Sequence, residues 1–376
     1  MMNMPSSHGK PEHLLLIGGG HAHVAVLADW IRHGLPCPRA TILTPSRQLR
    51  YSGTVPGWIS GHYNRDEGLV DVAGLALRAG ASLVEGRCAL IDPDARRVET
   101  DAGERVKFDI ASLDTGGVGQ ASDVLGKDPR LIDIRPIQGF VERMDALGPS
   151  PRIAVIGGGA GGVELAFALR NRAGFEKKPQ VALVAGTAGL LPEFSSSVRK
   201  TALEELSRQS IVLVQEDARI DENGLYAGGE PLEPVDTIVA AIGSAAPDWV
   251  KASGLAVDEA GFAAIDQHQR SLSHPHIFAV GDVAARQDRH VPHSGVHAVF
   301  AGPVLAANLR AVMAGRQPRE TYVPRWNNIY LLSTGDGRAI ASYGRLSAKG
   351  RWVSRLKHFI DMRWLRKYAG LAGGSG

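Results

Sequence analysis

The chain has 376 residues, of which 44% are hydrophobic and 22% charged, with 45 Gly and 2 Cys. That apolar content excludes intrinsic disorder, two cysteines exclude a disulfide scaffold, and at about 150 residues per domain the length predicts two or three domains. The net charge of +3 names no partner, but eight basic residues fall between positions 345 and 367 against the single acid Asp361, leaving the rest of the chain net acidic. Such a body argues against nucleic-acid binding. No run approaches the roughly 18 apolar residues of a membrane span. Residues 1–13 are polar, with Pro5 and Pro11 and no apolar core of a signal peptide, so a cytoplasmic location is expected.

In chain order, a strand is predicted over 14–17, running into Gly18-Gly19-Gly20-His21-Ala22-His23, then a helix over 24–31 and a second strand over 40–44. Residues 82–110 read as a small β-meander with turns at Asp92-Pro93-Asp94 and Asp101-Ala102-Gly103. A second unit repeats the first: strand 153–156, glycine cluster 157–162, helix 163–172 and strand 181–185. A strand-rich piece at 211–234 follows, then apolar strands over 237–242, ending at Gly243, and 277–280, ending at Gly281-Asp282. A helix is predicted over 292–314, started by Pro292, and a hairpin over 330–342. The basic segment reads as a helix over about 349–368, before a flexible Gly-Gly-Ser-Gly end. The class is α/β, with two Rossmann-like units.

The second glycine cluster is complete, Gly157-x-Gly159-x-x-Gly162 between a strand and a helix, the context in which a pyrophosphate approaches free N–H groups at a helix N-terminus. The first departs from it, since His23 stands in the third glycine's place and predicts a helix set farther from its strand. His21 and His23 read either as phosphate partners or as a surface and a packed residue. Neither unit carries the acid expected on a ribose: Thr44 or Ser46 would donate instead in the first, and Ala185-Gly186-Thr187 in the second predict modest selectivity, leaning to NADH.

With residues 108–116, 237–243 and 276–284 in this order, the chain resembles the two-dinucleotide-binding flavoproteins: pyridine nucleotide-disulfide oxidoreductases, type II NADH dehydrogenases and sulfide:quinone reductases. The resemblance implies a glutathione-reductase-like division, with 1–116 and 244–320 forming an FAD-binding domain, 117–243 an NAD(P)H-binding domain, and 321–376 a C-terminal hairpin and basic amphipathic helix. It implies FAD at Gly18, Gly20, His21, His23, Thr44, Thr115, Gly116, Gly281, Asp282 and His293, with Asp282 on the ribityl chain, and NAD(P)H at Gly157, Gly159 and Gly162. Gly18 to His23, residues 50–57, 112–114, 274–278 and 357–361 are similar to a subgroup found fused to, or standing apart from, selenophosphate synthase.

Departures from the relatives narrow the chemistry. Cys37 and Cys88 lie outside the loop 51–57 that would face the flavin, so disulfide and persulfide chemistry are not expected. The two glutamines of type II NADH dehydrogenases after the Gly-Asp motif are replaced by Val296 and Phe300. Glu164 matches a helix glutamate facing nicotinamide and flavin in these families; the alternative is a solvated first-turn glutamate. Glu164 and Tyr51 are the candidate catalytic residues. His290, His293 and His297 lack an accompanying carboxylate or Cys at ligand spacing, and no metal is expected. On the tail, Trp352, Val353, Leu356, Phe359, Ile360 and Trp364 share one broad helical face flanked by Arg351, Arg355 and Arg366, which suits either an anionic membrane surface or packing on the protein or a second copy. The expected activity is FAD-dependent oxidation of NAD(P)H with electrons passed to a small acceptor, of which a quinone is favoured. The alternative is a flavoprotein redox sensor or a module serving selenium metabolism.

Overall fold

The computed structural model describes residues 10–148, 151–174, 177–232, 234–324 and 328–373. The Gly-Ser end lies outside them. The first part contains β1 (His13–Ile17), α1 (His21–His33), β2 (Arg39–Thr44), β3 (Ser82–Glu85) and β4 (Ile110–Leu113). The second contains β5 (Leu131–Asp133), β6 (Arg152–Ile156), α2 (Ala160–Arg170), β7 (Gln180–Val184), β8 (Val212–Val214) and β9 (Thr237–Ala240). The chain then returns through β10 (Ile277–Ala279) and α3 (Gly295–Met313), and closes with β11 (Tyr330–Ser333), β12 (Ala339–Tyr343), β13 (Leu346–Gly350) and α4 (Arg351–Ala372).

Two parallel five-stranded sheets result, in the orders β10-β4-β1-β2-β3 and β5-β9-β6-β7-β8. β1 is buried at every position and pairs Leu14 with Ala40 on one side and Ile110 on the other. An unbroken apolar run is what a parallel strand covered on both faces requires. This is an α/β fold with two Rossmann-like sheets.

Several expected elements differ. The meander is confined to Cys88–Asp92, Arg97–Thr100 and Arg105–Lys107, because Ser82–Glu85 joins the parallel sheet after the crossover helix Val72–Arg78. The predicted hairpin gains a third strand, β13, and α4 begins two residues later than expected, after Gly350 at φ 148. α3 starts at Gly295 rather than at Pro292, since Ser294 is still extended.

By length and composition α3 could cross a membrane, with mean hydropathy 1.4 over 18 residues, which corrects the expectation drawn from uninterrupted runs. It is instead a core helix, 56% buried over that window and seated on α1. A Cβ on Gly302 would lie 2.7 Å from Ala25 Cβ and 2.9 Å from the Ala22 carbonyl, so the two helices meet at glycine contact.

α1 is tied to β4 by Asp114, which follows that strand and accepts hydrogen bonds from the Ala22 and His23 amides at 2.8 and 2.9 Å. Burial pushes the Asp114 pKa up to about 7; the two amides pull the other way, and Asp282 adds to the rise. A carboxyl whose folded pKa lies above its unfolded value stabilises the fold at acid pH, and that contribution is lost as pH rises through about 7. His21 and His23, held near pKa 4 by burial, act in the opposite sense, so the raw profile mixes both. Asp114→Asn keeps an oxygen for the amides and removes the titration. Chemical denaturation of the flavin-free protein should show the variant gaining stability relative to wild type between pH 5 and pH 8; a constant difference would dismiss the titration.

Candidate functional site

A cleft of about 2180 Å³ runs between the two sheets, from the first glycine loop to the second and on to α4. Gly18, Gly20, Thr44, Thr115, Gly116, Gly281, Asp282 and His293 all line it, as do His21, Tyr51 and Glu164. Gly18 turns with φ 97, and its Cβ would strike the Asp114 carbonyl at 2.3 Å. Gly20 has the Asp114 carboxylate where its own Cβ would be.

His23 is corrected from cofactor partner to packed residue. It is 0% exposed, outside the cleft lining, and neutral: Nδ1 donates to the Gly18 carbonyl (2.6 Å) and Nε2 accepts from Ser112 Oγ (2.9 Å). The imidazole fills the space a third glycine would have closed. The ribose donors expected at the end of β2 are also spent, since Thr44 Oγ1 donates to the Ser46 carbonyl (3.1 Å) and Ser46 Oγ to the Gln48 carbonyl (2.8 Å). His293 donates to the Ala284 carbonyl (3.1 Å) and lies against Phe262, while His297 pairs with the Tyr322 hydroxyl (2.7 Å).

In the second loop, Gly157 takes φ 127 against the Ala241 carbonyl, and a Cβ on Gly162 would lie 2.0 Å from the Gly157 carbonyl. Gly159 faces open space, which leaves the backbone approachable. Ala160 and Gly161, rather than the three glycines, line the cleft itself.

Sequence reading missed Arg135. It sits after β5 and donates to Asp282 at 2.6 Å, bringing a cation from the second sheet onto the carboxylate of the first. A single arginine in an unpatterned loop carries no periodic signal.

At the α4 end, Tyr51 stacks on Trp364 at 4.7 Å, and His21 touches both rings. Desolvation, opposed by Asp282, pushes the His21 pKa down to about 4, so it is neutral at pH 7. Three cleft residues carry buried polar atoms with no partner among the described residues: His21 Nε2, Ser294 Oγ and Trp364 Nε1. Buried polar atoms left unsatisfied by the protein fit a site that a polar, ring-bearing cofactor completes.

Beneath Tyr51 lies a buried charged group. Tyr51 donates to Asp361 (3.0 Å), and Lys357 Nζ donates to Asp361 (3.0 Å) and to the Gly53 carbonyl (3.2 Å). Glu164 accepts from the Ser333 amide at 2.8 Å. Burial raises the Glu164 pKa, although Lys357 opposes it, and the carboxylate is tied to the Ser333 amide rather than left wholly to solvent. Burial works against the Lys357 charge, but Glu164 and Asp361 outweigh it and hold its pKa above the ordinary lysine value. The i,i+4 spacing of Lys357 and Asp361 was the available signal for this pair.

Cys88 lines the cleft among Gly86 and Arg87, and burial pushes its thiol up to about 12; burial also raises Cys37. Neither is a thiolate at neutral pH.

Residues 8–302 match the pyridine nucleotide-disulphide oxidoreductase family. Ferroptosis suppressor protein 1 of Taeniopygia guttata is 25% identical over 292 residues, covering 74% of each chain. The type II NADH:quinone oxidoreductase of Staphylococcus saprophyticus is 23% identical over 394 residues, covering 95% of this chain and 96% of its own. Among solved structures, the sulfide:quinone oxidoreductase of Aquifex aeolicus has a TM-score of 0.75 at 17% identity, covering 97% of this chain and 93% of that one. The reductase in a covalent putidaredoxin reductase-putidaredoxin complex has 0.71 at 19%, covering 88% and 80%. This family typically binds FAD and NAD(P)H. With a family match over most of its length and a cleft flanked by two glycine turns, the chain belongs to the pyridine nucleotide-disulphide oxidoreductase family and is an oxidoreductase of the NAD(P)H-dependent flavoenzymes.

Proposed function

We propose that this protein oxidises NAD(P)H and reduces a small quinone-class acceptor at the Tyr51, Lys357 and Trp364 end of the cleft. The observation that carries the reading is the largely buried Lys357-Asp361-Tyr51 group, set in a cleft whose lining cysteine, Cys88, keeps its thiol protonated. Reducing a quinone to a quinol takes two electrons and two protons; NAD(P)H brings the electron pair with one proton, and the second must come from the protein or solvent. FAD, when bound, supplies the two-electron chemistry. The FAD sites are Gly18, Gly20, Thr115, Gly116 and the Arg135-Asp282 pair, with His21 and Ser294 adding polar atoms. Lys357 is held protonated and can donate; Asp361 orients it and Tyr51 together, and Glu164 keeps the ammonium favourable.

The mouth of the cleft supports a lipophilic acceptor. Val296, Phe300, Val323, Ile329, Phe359 and Ile360 line it and are 36–60% exposed. The names of the two quinone oxidoreductases support the same class. On α4 the buried positions are Val353, Asp361, Leu365 and Tyr368, whereas Trp352 and Phe359 are 58% and 60% exposed. The apolar face read from sequence is therefore split between packing and solvent. Exposed aromatics beside Arg351, Arg355, Arg363 and Arg366 suit a peripheral position on an anionic membrane, the inner face of the cell membrane. None of the relatives named above is described by a selenium activity; a redox sensor of that kind would hold flavin and turn over slowly.

The first test is an absorbance spectrum. The purified protein should carry flavin that anaerobic NADH or NADPH bleaches, and Cys37→Ser with Cys88→Ser should bleach as wild type does. Stable flavin colour under excess NADH and NADPH would favour the sensor. Lys357→Met and Asp361→Asn should each lower quinone reduction by about a hundredfold, the scale of a lost general acid, while flavin bleaching by NADH changes little. Equal loss in both half-reactions would place these residues in the fold instead. Wild-type protein should also sediment with anionic vesicles at low salt and release at high salt; indifference to such vesicles would remove the membrane reading.

A further inference from the structure

The loop after β7 lacks an acid of its own, but the next strand brings one to it. Asp217, three residues beyond β8, accepts hydrogen bonds from the Thr187 amide (2.9 Å) and from Thr187 Oγ1 (3.2 and 3.1 Å to its two oxygens). Gly186, at φ 72, makes room for this approach, since a Cβ there would lie 3.0 Å from Asp217 Oδ1. The loop is also bound to the glycine turn: Leu191 N donates to the Gly158 carbonyl (2.8 Å), and a Cβ on Gly158 would strike the Gly189 and Ala185 carbonyls at 2.3 and 2.8 Å. Residues 185–187 thus stand where, in a βαβ unit, the adenine-side ribose is read at the end of the second strand.

The charge of that place is negative. Asp217 adjoins Glu216, and among the described residues Thr187 is the only side-chain partner of its carboxylate. Arg219, two residues on, is committed elsewhere, to Asp221 and the Tyr226 ring. A ribose 2′-hydroxyl can donate to a carboxylate, whereas a 2′-phosphate brings a charge of about −1.5 to −2, and among the described residues no cation pairs with Asp217 or Thr187 to meet it. We infer that Asp217 is the residue that reads the 2′ position and selects NADH over NADPH. This rests on the reading of residues 157–162 as the nicotinamide-nucleotide turn, and it replaces the modest selectivity expected from residues 185–187 alone.

Asp217→Asn keeps an oxygen for the Thr187 amide and removes the charge, so it separates selection from loop bracing. Calorimetric titration of the flavin-loaded protein with ADP-ribose and with 2′-phospho-ADP-ribose reads binding without turnover. Wild type should prefer ADP-ribose by about a hundredfold, and Asp217→Asn should reduce the preference to about tenfold or less, with the same change in kcat/KM for NADH against NADPH. Asp217→Ala, with its melting temperature measured alongside, reports any loss of the loop itself. Equal binding of both compounds by wild type, or an unchanged preference in Asp217→Asn at intact stability, would overturn the inference. Binding of neither compound, with no bleaching by either nucleotide, would overturn the reading of the turn and this assignment with it.

Discussion

One buried carboxylate sets the geometry of the first half of the cleft. Asp114 caps the amides of Ala22 and His23, and its atoms occupy the space where side chains at three other positions would stand. A Cβ on Gly18 would meet its carbonyl, one on Gly20 its carboxylate at 2.4 Å, and one on Gly281 its Oδ1 at 2.9 Å. The glycines of the first loop and of the Gly-Asp turn are therefore one requirement seen from two places in the chain. Moving Asp114 would release α1 from β4 and separate the loop from Asp282, whose charge Asp114 feels. His23 completes the arrangement by bridging the Gly18 carbonyl and Ser112, so the usual third glycine is not needed.

The parallel sheets were legible because the apolar runs at 14–17, 153–156 and 238–242 are short, uninterrupted and followed by glycine. Ser82–Glu85 was not, since a half-buried edge strand has no such run, and only its crossover helix betrays parallel pairing. α4 misled for a different reason. Hydrophobic periodicity assigns charged residues to solvent, yet Lys357 and Asp361 neutralise each other across one helical turn and turn inward, while Phe359 and Ile360 turn out. Asp217 and Arg135 were out of reach altogether: each acts on a residue from another strand or sheet, a relation with no spacing signature in the chain.

The buried pair on α4 is an expensive way to hold a helix. Desolvating two charges costs several kcal/mol each, and apolar residues of similar volume often serve stability as well or better. What an apolar replacement cannot do is hold Tyr51 by its hydroxyl, grip the Gly53 carbonyl and set a cation near Glu164 at once. Neutral His21 fits the same electrostatic scheme, because it lines the wall without adding a second positive charge.

The same frame carries a putidaredoxin reductase and a sulfide:quinone oxidoreductase at comparable likeness, so fold alone leaves the acceptor open. A partner that takes single electrons needs no proton, while sulfur transfer needs a reactive thiolate. This chain buries a protonated lysine beside the cleft and keeps both thiols protonated, one raised to about 12. It also surrounds the opening with exposed valine, isoleucine and phenylalanine. Those three features are what support the proposed acceptor, one that is apolar, small enough to enter the cleft and reduced with proton uptake.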